Sequence, residues 1–331
     1  MDELKNENIE ETESLTPETE VIEEVASEGG DVLTKGVMNE MNMQKVTTQQ
    51  RIMKILVQIG LYLFLGFMAL IVVFPFYWMI TSSLKSLHEY ELTNPTFFPH
   101  EIHFENYANA FDQINMGRLF LNTVYVGVVS TLLSLVVTIL AAFAFARLEF
   151  KGKNIFFAML LATMMIPGEL FTITNYITIN RLNWMHTFTA LIVPFLVSVF
   201  YIYLLKQNFE QVPNELYLAA KVDGTSDFKY LVRVMVPLAL PTIISITILK
   251  MMGSWNSYMW PKLVTDPNSV AHKLITNGLR DMDFSEAGDM NRVHYPRQMA
   301  AVTMVSIPLF LVFVFLRKYI MKGVSRSGIK G

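Results

Sequence analysis

The sequence predicts an all-α integral membrane protein with six transmembrane helices and both termini cytoplasmic. Three observations carry this. The 331 residues are 52% hydrophobic and only 17% charged. Six apolar stretches each reach the roughly 20 residues that cross a bilayer core. Lys and Arg crowd the ends of those stretches on one side, which is the cytoplasmic side by the positive-inside rule.

The chain opens on a different polymer. Residues 1–34 hold twelve of the 29 acids against one base, Lys5, which leaves 17 acids and 25 bases in the rest. With few apolar residues and strong self-repulsion, residues 1–50 are expected to be a disordered acidic cytoplasmic tail, and residues 51–331 the membrane domain. The acidic start lacks the basic flank and short apolar core of a signal peptide, so the first apolar run is expected to be retained. Without cysteine, neither a disulfide framework nor a thiolate site is available.

The predicted spans are residues 55–80, 119–146, 155–176, 187–205, 237–261 and 298–316, each continuous enough to read as one helix. Pro75, Pro167, Pro194 and Pro308 fall inside them, where neighbouring helices can satisfy the freed carbonyls. Fifteen Lys and Arg flank the ends assigned to the cytoplasm, among them Arg51, Lys54, Arg147, Lys206, Lys221 and Arg317; eight spread over the longer opposite loops.

The loop of residues 206–237 is polar yet rich in helix formers. Pro213 suits a first helical turn, Gly224 suits a left-handed cap, and Thr225 or Ser226 can cap a second helix running toward Pro237. Ala219 and Ala220 offer almost no side chain, so another backbone could approach closely. The loop reads either as a docking knob for a cytoplasmic partner or as an ordinary capped loop.

Its spacing resembles the signature of binding-protein-dependent ABC importer permeases: Glu-Ala-Ala, three residues, Gly, nine residues, aliphatic, any residue, aliphatic, Pro. Here the positions are Leu218, Ala219, Ala220, Gly224, Val234, Val236 and Pro237, with Leu218 in place of the Glu. "FPFYWMITSSLKS" (74–86), "AAFAFARLEFKGKN" (141–154), "GSWNSYMWPKLV" (253–264) and "RKYIMKGVSRSGIKG" (317–331) are also similar to the carbohydrate-uptake branch of that family.

The resemblance implies a type I importer permease (MetI-like) fold in a bacterial cell membrane. It implies a second, different permease, a cytoplasmic ABC ATPase dimer holding ATP and Mg, and an extracytoplasmic solute-binding protein. No cofactor is expected on this chain, and no nucleic-acid partner. Leu218, Ala219, Ala220, Asp223 and Gly224 would couple the pore to the ATPase, with an apolar contact replacing that of the missing Glu. The basic C-terminal segment would either touch the ATPase or serve as a positive-inside flank, and the exterior loop 262–297 would either meet the binding protein or remain solvated. Sugars or oligosaccharides are the implied solutes, with glycerol phosphate, a polyol or an acidic sugar as alternatives.

Other readings are weaker. "GVSRSGIKG" (323–331) lacks the Lys position and the following Ser or Thr of a phosphate-binding loop, so ATP hydrolysis is assigned to a separate subunit and this chain is not expected to be an enzyme. An ion-coupled transporter would favour midplane carboxylates and repeated halves, and neither is evident. His100 and His103 lack zinc-protease spacing.

Lys250, near the middle of the fifth stretch, would cost at least about 2.5 kcal/mol unless paired or facing a wet cavity. It is expected either to face the translocation pathway and favour an acidic solute or to pair with a carboxylate, here Glu169 or one on the partner. Asn256, with Ser254 and Trp255, either contacts sugar or packs helices together.

Overall fold

A computed structural model describes residues 48–286 and 289–325; the expected acidic tail lies outside them apart from residues 48–50, which already belong to the first helix. The chain divides into two units at Phe74/Pro75, and the first helix, α1 (Thr48–Ser83), runs through the division. In the first unit, Ile55 to Phe74 carries one strongly polar side chain, Gln58. Hydrocarbon forces such a stretch to satisfy its backbone internally, which a helix does.

In the second unit, α1 ends and α2 (Leu87–Tyr90), α3 (Glu105–Gln113) and α4 (Met116–Arg147) follow. Three crossings are then bent. Helix α5 (Lys153–Thr163) meets a 3₁₀ turn (Gly168–Leu170) and α6 (Phe171–Arg181) at 82°. Helix α7 (Phe188–Ile192) with the turn Val193–Phe195 meets α8 (Val199–Glu210) at 46°. After α9 (Asn214–Val222), the run of α10 (Asp227–Tyr230), π-helical Leu231–Met235 and α11 (Val236–Leu238) meets α12 (Leu240–Trp255) at 79°. The chain continues through α13 (Met259–Val264), α14 (Ile275–Asp281), a hairpin of β1 (Ser285–Glu286) and β2 (Asp289–Val293), and α15 (Tyr295–Ser325).

Three of the stretches expected to be continuous helices, 155–176, 187–205 and 237–261, are therefore broken. Proline explains where. A ring inside a helix removes one hydrogen bond and presses on the preceding turn. Pro75 and Pro308 are absorbed within helices, whereas Pro167 and Pro194 sit at the first two breaks. Pro237 and Pro241 flank the third, beside a wide π turn of the kind often found where a helix is interrupted.

Helix α4 is the hub. One of its faces buries Asn122, Thr123, Ser130, Thr131, Ser134 and Thr138, small or compact polar residues that let neighbouring helices approach. Around it, Leu119, Trp255, Ile275 and Ala300 form one apolar cluster, Phe143, Phe209, Tyr230 and Met235 a second, and Val126, Leu191, Trp260 and Leu274 a third. The approach is close at Gly278, where a Cβ would lie 2.1 Å from Leu119 Cδ1.

Candidate functional site

Two features built on α4 stand out: a cleft beside its middle and an exposed loop at its C-terminal end. The cleft begins with the break at Pro194. A bent helix leaves carbonyls without an intrahelical partner, and Lys250 Nζ donates to the Phe195 carbonyl at 2.6 Å. The ammonium thus comes from α12 and the carbonyl from the kink between α7 and α8. The surrounding space, about 370 Å³, is lined by Phe195, Ser198, Tyr201, Ser254, Ser257 and Trp260 among others, and by no Asp or Glu.

Trp260 is a fixed wall. Its Nε1 donates to the Ala190 carbonyl at 2.9 Å, and its ring meets Phe195 edge-on with centroids 5.6 Å apart. On α4, a Cβ at Gly127 would come within 3.5 Å of Met251 Sδ and 3.8 Å of Ser254 Oγ, so α4 and α12 approach closely beside the cleft.

The sequence-predicted pathway residues are not all brought together. Lys250 lines the cleft, while Glu169 and Asn256 do not. Glu169 lies exposed in the turn before α6, and no ion pair joins it to Lys250 among the described residues. Asn256 is the C-cap of α12 and donates through Nδ2 to the Met252 carbonyl at 3.0 Å. Trp255 is buried edge-on against Phe120, with centroids 5.7 Å apart, so it packs helices and presents no face to a sugar. Because α12 ends at Trp255, Lys250 lies in the second half of a 16-residue helix and not midway along a 25-residue one.

The sequence does not single out Phe195, Tyr201, Ser257 and Trp260 as cleft residues. Pro194 was the available signal for the first two. The other two follow the α12 break, which resets the helical phase.

The loop after α8 is shaped by local chemistry. Gly224, at φ +70°, ends α9. The Thr225 amide donates to the Ala220 carbonyl at 2.9 Å and the Gly224 amide to the Lys221 carbonyl at 3.0 Å, the paired bonds of a Schellman cap. Ser226 then accepts the Lys229 amide and starts α10. Pro213 stands just outside α9 as its N-cap and not within the first turn.

Between α9 and α10, Asp227 Oδ1 accepts the Tyr217 hydroxyl at 2.8 Å and pairs with Lys221 Nζ at 2.7 Å. Lys221 and then Tyr217 hold the Asp227 carboxyl below the usual aspartate range. Tyr217 and Tyr230 pack with ring centroids 5.1 Å apart, seating α9 on the cluster around Phe143 and Phe209. Arg147, at the end of α4, donates to the Phe209 carbonyl at 2.8 Å, to the Val212 carbonyl, and to Asn214 Oδ1 at 3.4 Å. One guanidinium thereby ties the end of α4 to the entry of α9.

This seating leaves three large apolar side chains outward, among exposed Glu215, Lys221 and Asp223. Leu218 is 55% exposed, Val222 88% and Phe228 68%; Leu218 and Val222 stand one helical turn apart on the same face. Ala219, Asp223 and Gly224 are also exposed, and Ala220 is half-buried.

At the opposite end, much of the exterior loop is anchored. Asn122 Nδ2 lies 3.0–3.1 Å from the carbonyls of Val270, Ala271 and Lys273, Thr123 Oγ1 accepts the Ile275 amide at 2.8 Å, and Lys262 and Lys273 both face Asp281. Arg292 pairs with Glu91. Buried Glu89 accepts the Thr96 hydroxyl at 2.7 Å and the His100 amide at 3.1 Å; burial alone would raise its pKa, but these bonds hold it below the usual range. His103 bonds Glu105, and no metal-binding group of His, Asp and Glu occurs among the described residues.

The arabinooligosaccharide transport permease AraQ of Halalkalibacterium halodurans is 29% identical over 80% of this chain and 94% of its own length. The diacetylchitobiose uptake permease NgcG of Streptomyces coelicolor is 30% identical over 78% and 84%. A chain of a bacterial ABC transporter involved in the import of the acidic polysaccharide alginate superposes with a TM-score of 0.73 at 23% identity, covering 82% of this chain and 98% of that one, a likeness of fold. Residues 134–326, which contain the loop and all of the cleft lining except Val126 and Ser130, match the binding-protein-dependent transport system inner membrane component. This chain belongs to that family.

Proposed function

We propose that the chain is one of two different membrane subunits of an ATP-driven importer of sugars or oligosaccharides, and that α9 is the helix through which a cytoplasmic ATPase moves it. The observation that carries the reading is the outward face of α9. Leu218 and Val222, with Phe228 beside them, are apolar side chains on a loop that its Lys and Arg assign to the cytoplasm, and a membrane protein gains nothing from exposing them to water. Leu218 stands where the signature that this loop resembles has Glu, so the facing cleft on the ATPase would be apolar at that point.

Relatives named for arabinooligosaccharide and diacetylchitobiose transport support the solute class. ATP and Mg belong to the ATPase dimer, whose closure would push α9. Arg147 passes that push to α4, and the bent crossings turn it into a change of access between the two membrane faces. An extracytoplasmic binding protein would deliver the solute to the side bearing the loop anchored by Asn122.

The test is purification of the chain from its native membrane in mild detergent, with mass spectrometry of what accompanies it. An ABC ATPase and a second permease are the expected companions. A chain that comes alone, and transports without ATP after reconstitution, refutes the reading.

A further inference from the structure

Lys250 is held but not neutralised. An ammonium has three donors, and one goes to the Phe195 carbonyl. No carboxylate lies within ion-pair distance of it among the described residues, and none lines the cleft. The carbonyl fixes the position of the charge without cancelling it.

Of the other polar groups in the cleft, Ser130 donates to the Gly127 carbonyl, Ser198 accepts the Tyr201 amide and Trp260 donates to Ala190, while three hydroxyls are uncommitted. The hydroxyls of Tyr201, Ser254 and Ser257 make no hydrogen bond with another described residue, and all three face the same space as Lys250. The pinned Trp260 ring and Phe195 add a rigid aromatic wall. A fixed positive charge, hydroxyls with free donors and acceptors, and an aromatic wall match a polyhydroxylated ligand that carries a negative charge. A neutral sugar would leave a half-buried ammonium unanswered in a low-dielectric passage, which is unfavourable.

We infer that this cleft is a passage site for anionic carbohydrate, in which Lys250 contacts the carboxylate or phosphate and the hydroxyls contact the ring. The inference rests on the importer reading and deepens it to a solute class. Uronates and sugar phosphates share the chemistry invoked.

The complete transporter, reconstituted in proteoliposomes with its binding protein and ATP, is offered labelled trigalacturonate, glucose 6-phosphate and neutral maltotriose. Wild type is compared with Lys250→Met and Lys250→Arg, so the receptor step is the same throughout. Losing one hydrogen bond to a charged group raises the KM for the anion about tenfold or more in Lys250→Met, with Lys250→Arg recovering most of the loss. In wild type that KM also rises with ionic strength.

Uptake of only one of the two anions identifies which group Lys250 meets. Uptake of maltotriose with rejection of both anions overturns the inference and leaves the importer reading standing. Equal anion uptake by wild type and Lys250→Met overturns it as well. ATP-driven uptake of no saccharide overturns both.

Discussion

Replacing Gly224 with alanine isolates backbone strain from every other effect at the loop between α9 and α10. The residue sits at φ +70°, and nothing lies within 4 Å of where a Cβ would be, so the added methyl meets no neighbour. What remains is the strain of an L-residue in the left-handed region, about 1–2 kcal/mol. That strain opposes the conformation that carries both cap bonds, to Ala220 and Lys221. Since about 1.4 kcal/mol is a factor of ten in an equilibrium, the ratio of capped to uncapped loops falls roughly 5- to 30-fold. ATP-driven uptake by the reconstituted complex is expected to fall by up to that factor, with membrane insertion and subunit assembly unchanged. Gly224→Asn, which tolerates the left-handed region, should remain within a few-fold of wild type. If Gly224→Ala transports like wild type, or Gly224→Asn is as impaired as Gly224→Ala, the strain argument is wrong.

Three further outcomes are expected. Gly278→Ala forces a methyl to within 2.1 Å of Leu119 Cδ1 and should destabilise the complex by about 1–3 kcal/mol, read as a lower thermal midpoint that a simultaneous Leu119→Ala partly restores; an unchanged midpoint contradicts the close approach. Arg147→Lys keeps the charge but loses the fork that reaches two carbonyls and Asn214, so amide exchange over residues 209–224 should quicken while the cleft is unaffected. Because the Asp227 pKa is lowered on folding, its contribution to loop order is full above the ordinary aspartate value of about 3.9 and is lost as pH falls through the lowered value. Exchange protection of α9 should therefore be flat from about pH 8 to about pH 5 apart from the intrinsic rate, and lower at every such pH in Asp227→Asn; a midpoint near neutrality would show that another group orders the loop.

The features legible in the sequence are those set by neighbours along the chain. Gly224 announced its left-handed cap because few other residues occupy that region cheaply, and Ser226 announced the start of α10 through its hydroxyl. Pro194 could signal a break, but not that a lysine 56 positions later would fill the carbonyl next to it. Nor could the sequence separate the two tryptophans. Trp255 turns inward toward Phe120 and Trp260 lines the cleft because α12 stops between them. Asn122 is the extreme case. It looks like one polar residue in an apolar run, yet it gathers three carbonyls some 150 positions downstream, a pairing no local pattern encodes.

The bent crossings also bear on how the protein is made. Helices α5 and α6 have 11 residues each and α8 has 12, which at 1.5 Å per residue gives about 16–18 Å apiece, little more than half of a bilayer core. None could hold a transmembrane position alone. During synthesis each must therefore enter the lipid together with its other half. Each bent crossing is thus inserted as one unit of two short helices, and a lesion that makes either half too polar would be felt first as a failure of insertion.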